Sequence, residues 1–121
     1  MKTLVIDTNA WIDYLNGDAH LKKRLDEHVL ETPISVAVEV SIVLRREGHS
    51  EEIRKKALDT IFNKSIIRPL EFTDAERISD LVINGKLHFA DALAYVAADE
   101  NKHFLTADGD FKSKAYVHFV H

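Results

Sequence analysis

The sequence contains no cysteine, which removes disulfides, cysteine-ligated zinc and thiol nucleophiles together. Any metal must therefore be held by oxygen or imidazole. Only two prolines and four glycines punctuate the 121 residues, and no Pro-, Ser- or Gly-rich tract marks a linker or a disordered segment. That length supports one core and not two, so a single domain over residues 1–121 is expected. Long apolar runs are also missing. Asp7 stops the run Leu4 to Ile6 far short of a membrane span or a signal-peptide core, so a cytoplasmic protein with no membrane partner is expected. The chain has no excess of positive charge either. Its formal net charge of −4 is unlike that of a simple basic nucleic-acid-binding module.

What is present is an alternation of two patterns. Thr3 to Ile6, Ile66 to Leu70, His103 to Thr106 and Tyr116 to Val120 read as short strands. Pro69 cannot donate to a ladder and assigns its run to a sheet edge. Between them, Leu21, Leu25 and Val29 fall at helical spacing, as do Ile53, Ala57, Leu58, Ile61 and Phe62 behind a capping Ser50. Thr73-Asp74-Ala75-Glu76 reads as a capping box that opens a helix closed by Asn84-Gly85, and a further helix is expected from about Phe89 to Asn101. Ile34 to Leu44 is ambiguous. Its β-branched alternation favours a strand carrying Glu39 and Ser41 on one face, whereas a helix would place Ser35, Glu39 and Arg46 on one side. Alternating strands and helices imply a parallel sheet, whose ligands bind beyond the carboxyl ends of the strands. That rule draws attention to Asp7 and Asp108.

Four acids stand out: Asp7 in Ile6-Asp7-Thr8-Asn9, Glu39 in an apolar run, Asp91 in His88-Phe89-Ala90-Asp91-Ala92-Leu93, and Asp108 in Thr106-Ala107-Asp108-Gly109-Asp110-Phe111. Each has a bland explanation, Asp7 as an N-cap and Asp108 or Asp110 as turn residues. Acids set among Val, Ala and Leu, like Glu39 and Asp91, are seldom buried without a partner. Gathered together, such acids would repel one another by roughly 3 kcal/mol per pair at about 5 Å and an effective dielectric near 20. A cluster of this kind persists only with protons or hard cations, and oxygen ligands select Mg²⁺ or Mn²⁺. Setting these four aside leaves 16 acids against 16 Lys and Arg, so a cation-filled pocket would weaken, without abolishing, the electrostatic objection to a nucleic-acid substrate.

These motifs, in this order and spacing, resemble those of the PIN-domain family, and its VapC-type toxin branch in particular. The resemblance spans the chain, from Val5-Ile6-Asp7-Thr8-Asn9-Ala10-Trp11-Ile12 through Ser35 to Leu44 and His88 to Leu93, ending at Leu105 to Phe111. It implies a three-layer α/β/α sandwich around a parallel sheet of about five strands, with a helix from about Val36 and only Pro33 to Val36 extended. It further implies Asp7, Asp91 and Asp108 as metal ligands, Glu39 as a ligand directly or through water, and Asp110 as a helper. Thr8, Asn9 and Thr106 would hydrogen-bond those carboxylates or a phosphate oxygen. The implied activity is Mg²⁺- or Mn²⁺-dependent hydrolysis of RNA, in a homodimer partnered by a small antitoxin. An RNA-processing nuclease and a silent PIN scaffold stay open. A receiver-like signalling domain would want a second acid beside Asp7, where Thr8-Asn9 stands.

The other conspicuous residues have plainer readings. The seven histidines form no His-Glu-x-x-His pattern and read as surface or supporting groups. Trp11 and Tyr14 read as core or interface aromatics. Lys22-Lys23-Arg24, Arg45-Arg46 and Arg54-Lys55-Lys56 read as solvated helix faces, with a role in guiding RNA as the sharper alternative.

Overall fold

Strand β1 spans Thr3–Ile6, and its last three residues are buried on both faces, the signature of a strand central to a parallel sheet. The computed structural model describes residues 2–120, so the expectation for His121 lies outside them. β1 pairs on one side with β2, Val29–Pro33, and on the other with β4, Lys102–Thr106. The edges are β3, Ile66–Arg68, and β5, Val117–Phe119. All five strands are parallel in the order β3-β2-β1-β4-β5, with Thr3 opposite both Val29 and Lys102.

The chain walks outward from β1 to β3 through helices α1 (Thr8–Leu15), α2 (Ala19–Asp26), α3 (Ile34–Arg46) and α4 (Glu51–Lys64). It then passes through α5 (Ala75–Ile83) and α6 (Phe89–Tyr95), returns beside β1 as β4, and ends in β5. Right-handed crossovers that reverse direction in this way lay helices on opposite faces of the sheet, which gives the expected three layers. The reversal falls between β1 and β4, so the crevice at their carboxyl ends is the topological switch point of the sheet.

Trp11, Leu21, Leu25, Val36, Val40, Ile61, Phe104, Leu105 and Phe111 fill the core and are essentially inaccessible. Trp11 satisfies its indole N–H by donating to Thr32 Oγ1 at 3.0 Å, and Thr32 is tied to Ser65 at 2.7 Å. Tyr14 is half-buried and packs edge-on against Trp11. Trp11 is therefore a core residue. Glu31 is buried in β2 and satisfied by charge, with Lys102 Nζ at 2.9 Å and Arg68 Nε at 3.6 Å.

Several expectations need correction. The β-branched run Ile34 to Leu44 is helical, as the family resemblance implied and against its local strand preference, because Val36, Val40 and Leu44 form a stripe at four-residue spacing that α3 buries. The extended segment precedes it, at Val29–Pro33 rather than Pro33 to Val36. Val29 thus leaves the helical stripe of Leu21 and Leu25: α2 stops at Asp26, and Val29 N donates to Lys2 O. The box at Thr73 to Glu76 lies earlier, with Asp74 Oδ2 accepting from Glu71 N at the head of a 3₁₀ turn, Phe72–Asp74. α6 ends at Tyr95 instead of running to Asn101, since the Arg77 guanidinium takes the carbonyls of Val96 and Ala98, both at 2.9 Å. The run ending at Leu70 stops at Arg68, before Pro69, and is an edge strand as expected. β5 begins one residue after Tyr116, whose φ of 62° is left-handed.

Candidate metal centre at the carboxyl edge of the sheet

Asp7 is the residue immediately after β1. It occupies the N-cap of α1, where its Oδ1 accepts from Thr8 N at 2.8 Å. The bland reading of Asp7 is therefore correct, and incomplete. Its second oxygen, Oδ2, accepts from Thr106 Oγ1 at 2.6 Å across the seam to β4. The same threonine hydroxyl accepts from Asp108 N at 3.0 Å. Asp108 repeats the pattern, capping the 3₁₀ turn Gly109–Phe111 by accepting from Asp110 N at 2.9 Å. Turn-capping thus fixes both carboxylates and leaves each with acceptor capacity to spare.

The remaining acids arrive on helices. Glu39 lies in α3 and Asp91 in the first turn of α6, which packs against α3. Carboxylate oxygens of Asp91, Asp108 and Asp110 lie within 4.8 Å of one another. Electrostatics joins the rest. Burial pushes Asp7 up from 3.8 to about 6; its bonds from Thr106 and Thr8 oppose the rise, and Asp91 and Asp108 add to it. Glu39 is raised by burial and then by Asp7 and Asp91. Asp91 is raised by burial and by Asp108 and Asp110, against a lowering influence from His88. The structure accordingly brings Asp7, Glu39, Asp91, Asp108 and Asp110 into one mutually repelling group drawn from four segments. Of these, Asp7 is 6% exposed and Asp110 is open to solvent.

The supporting residues divide. Thr106 is fully buried and sits between the two aspartates. Thr8 is buried with an unpartnered hydroxyl. Asn9 is exposed at the start of α1. Ser35, which the helical reading set on one side with Glu39 but gave no role, has a buried and unpartnered hydroxyl one helical turn before Glu39.

These residues fit a hard cation. The donors are oxygens throughout, as Mg²⁺ and Mn²⁺ prefer. Magnesium–oxygen bonds near 2.1 Å require ligand oxygens within about 4 Å of one another, a small closure from the observed 4.8 Å. Thr8 and Ser35, next to Asp7 and one helical turn before Glu39, carry buried hydroxyls without a partner.

The comparisons agree with this geometry. The model of the family described as "PIN domain" matches residues 4–116, which includes all five acids. The chain belongs to the PIN domain family. No curated protein matches its sequence. This PIN domain shares its fold with a toxin–antitoxin complex from Klebsiella pneumoniae, at TM-score 0.82 and 20% identity, with 98% of each chain covered. A second similar structure is VapBC2 from Rickettsia felis bound to a promoter DNA fragment, at TM-score 0.75 and 15% identity over 97% of this chain and 96% of that one. A third is VapC20 of Mycobacterium tuberculosis, a toxin that cleaves the sarcin–ricin loop, at TM-score 0.71 and 21% identity over 95% and 96%. Among the described residues of this PIN domain, no helix is long and apolar enough to cross a membrane.

Proposed function

We propose that this PIN domain, working as one domain over residues 1–121, is a Mg²⁺- or Mn²⁺-dependent endoribonuclease and the toxin of a toxin–antitoxin pair. The observation that carries the reading is the meeting of Asp7, Glu39, Asp91 and Asp108 at the switch point of the sheet, at a mutual repulsion that only protons or cations relieve. Asp91, Asp108 and Asp7 would hold the cation, with Glu39 directly or through water, and Asp110 assisting from the exposed side. When bound, the cation supplies Lewis acidity toward a phosphodiester and neutralises the acids.

The protein residues have their own tasks. Thr106 pins Asp7 Oδ2 and the Asp108 backbone together, so the spacing of two ligands does not depend on side-chain rotation. Thr8 and Ser35 offer buried hydroxyls to a phosphate oxygen or a water at this site. Asn9, exposed at the rim, is placed to contact the strand. The toxin assignment rests on family membership and on the toxin complexes among the similar structures. It implies a cytoplasmic protein, a small antitoxin encoded in the adjacent reading frame, and a homodimer measurable by light scattering. The deciding assay is RNA cleavage with Mg²⁺ or Mn²⁺. We expect EDTA and Asp7→Asn each to abolish it, and activity surviving both would refute the mechanism.

A further inference from the structure

At the opposite end of the sheet from the acids lies a second concave site that this function does not use. It is a cavity of about 180 Å³ lined in part by Lys2, Arg24, His28, Glu100, His103 and His118. That volume is below the roughly 300–1,000 Å³ of pockets that enclose a drug-sized ligand, and it suits a small ion or a single charged group.

The hydrogen bonds within it have a fixed direction. Arg24 Nη2 can only donate, so His118 Nδ1 at 3.4 Å accepts. The His118 proton is then on Nε2, which donates to His103 Nδ1 at 2.7 Å, and His103 Nε2 donates to Glu100 O at 3.2 Å. His28 Nδ1 donates to Arg24 O at 2.7 Å, which leaves its Nε2 uncommitted to that bond. Arg24 is itself anchored by donating to Phe119 O at 2.8 Å. In this arrangement a proton added to His118 Nδ1 would face a guanidinium.

The charges around His118 share one sign. Arg24 faces it from α2, His28 from the turn between α2 and β2, His103 from β4 and Lys2 from the segment before β1. After burial, these four are the influences that lower its affinity for a proton. Glu100 on the loop before β4 is the acid in the lining, and it engages the relay through its backbone carbonyl. In a chain of net charge −4, this concentration of cations in a concavity is an anion site by ordinary electrostatics.

We propose that this cavity binds one phosphate group, held by Arg24 and Lys2, with His28 Nε2 and the His118–His103 pair as the places that take up a proton as it enters. An anion on Arg24 removes the guanidinium's opposition to a charged His118, so binding and protonation assist each other. The group could come from free phosphate or a phosphate monoester, or from the diester backbone of RNA.

The test uses the intact protein with EDTA, so that the acidic edge holds no cation, and follows the histidine ring resonances by NMR near pH 6.5. Inorganic phosphate and a short unphosphorylated RNA are titrated separately. Phosphate should move the His118 and His103 signals saturably and raise the apparent pKa of His118. Arg24→Gln and His28→Gln should weaken binding about tenfold or more, and Lys2→Ala up to about fivefold. The same shifts with RNA would identify the backbone as a source; shifts with phosphate alone would identify free phosphate or a monoester. Arg24 also anchors the segment after β5, so Lys2→Ala and His28→Gln keep the test valid if Arg24→Gln unfolds. No saturable shift from either titrant would overturn the proposal, as would affinities unchanged in folded Lys2→Ala and His28→Gln.

Discussion

The Thr106 hydroxyl links the two aspartates that end adjacent strands, donating to Asp7 Oδ2 at 2.6 Å while accepting from Asp108 N at 3.0 Å. One buried oxygen thereby sets the distance between two proposed ligands. Thr106→Val removes both bonds at little cost in volume. It should reduce metal affinity and RNA cleavage by about 10–100-fold, and Thr106→Ser should restore most of both. Titration calorimetry with Mn²⁺ beside a cleavage assay reads the effect, and a valine variant with wild-type values would show the link to be incidental.

The raised proton affinity of Asp7 makes a signed prediction for the metal-free protein. The folded state keeps this proton up to about pH 6, whereas an ordinary aspartate releases it near 3.8. Between those values the folded state binds more protons than the unfolded one, so stability falls as pH rises through this window and levels off above it. The two-unit difference at this 6%-exposed group corresponds to about 3 kcal/mol, and Glu39 and Asp91 act in the same direction. Melting temperature in EDTA should therefore drop from about pH 4.5 to pH 7. Asp7→Asn should flatten the profile and melt higher than wild type at pH 7. Adding Mg²⁺ at pH 7 should stabilise the wild type and have less effect on the variant. A flat wild-type profile would contradict the clustering.

Asp108 and Asp110 are neighbours with unequal roles. Asp108 is half-buried and fixed at its backbone and at one carboxylate oxygen, while Asp110 is exposed. A preorganised ligand loses less freedom on binding than an exposed one. Asp108→Asn should cost at least tenfold more cleavage activity than Asp110→Asn under the same metal concentration. Equal losses would place both carboxylates directly on the metal.

Away from the acids, the chain Trp11 to Thr32 to Ser65 ties α1 to β2 and to the residue after α4. Thr32→Val leaves a buried indole N–H unpaired and should destabilise by about 1–3 kcal/mol in urea denaturation. Trp11→Ala should cost about 3–5 kcal/mol. Fluorescence and circular dichroism unfolding curves give both numbers, and a neutral Thr32→Val would mean that water replaces the threonine.

Reading the residues succeeded where local chemistry is decisive and failed where packing overrules it. The central strand is legible because Leu4, Val5 and Ile6 are apolar on both faces. The edge position of β3 is legible because Pro69 has no N–H to give. Ile34 to Leu44 stayed ambiguous on local propensity, because β-branched side chains favour a strand, whereas the buried stripe Val36, Val40, Leu44 needs a helix to reach the core. Val29 was misread for the converse reason: a partner strand claims it, and partners are invisible in sequence. At the candidate site, the residue types of all five acids are legible, while Ser35 could be set beside Glu39 but given no role, because the burial of its hydroxyl is decided by packing.

By itself, the sequence determined the chemistry available to this protein. Without cysteine, any metal had to be held by oxygen or imidazole, the acids at Asp7, Glu39, Asp91, Asp108 and Asp110 offered a hard, oxygen-only donor set, and the motif order marked the PIN domain family. The tertiary structure alone decided that these acids meet, because their convergence depends on β4 returning beside β1 and on α6 packing against α3. It alone also decided that Arg24, His28, His103 and His118 share a cavity at the other end of the sheet. Both clusters are made by contacts across long stretches of chain, and charge acts through space rather than along the sequence.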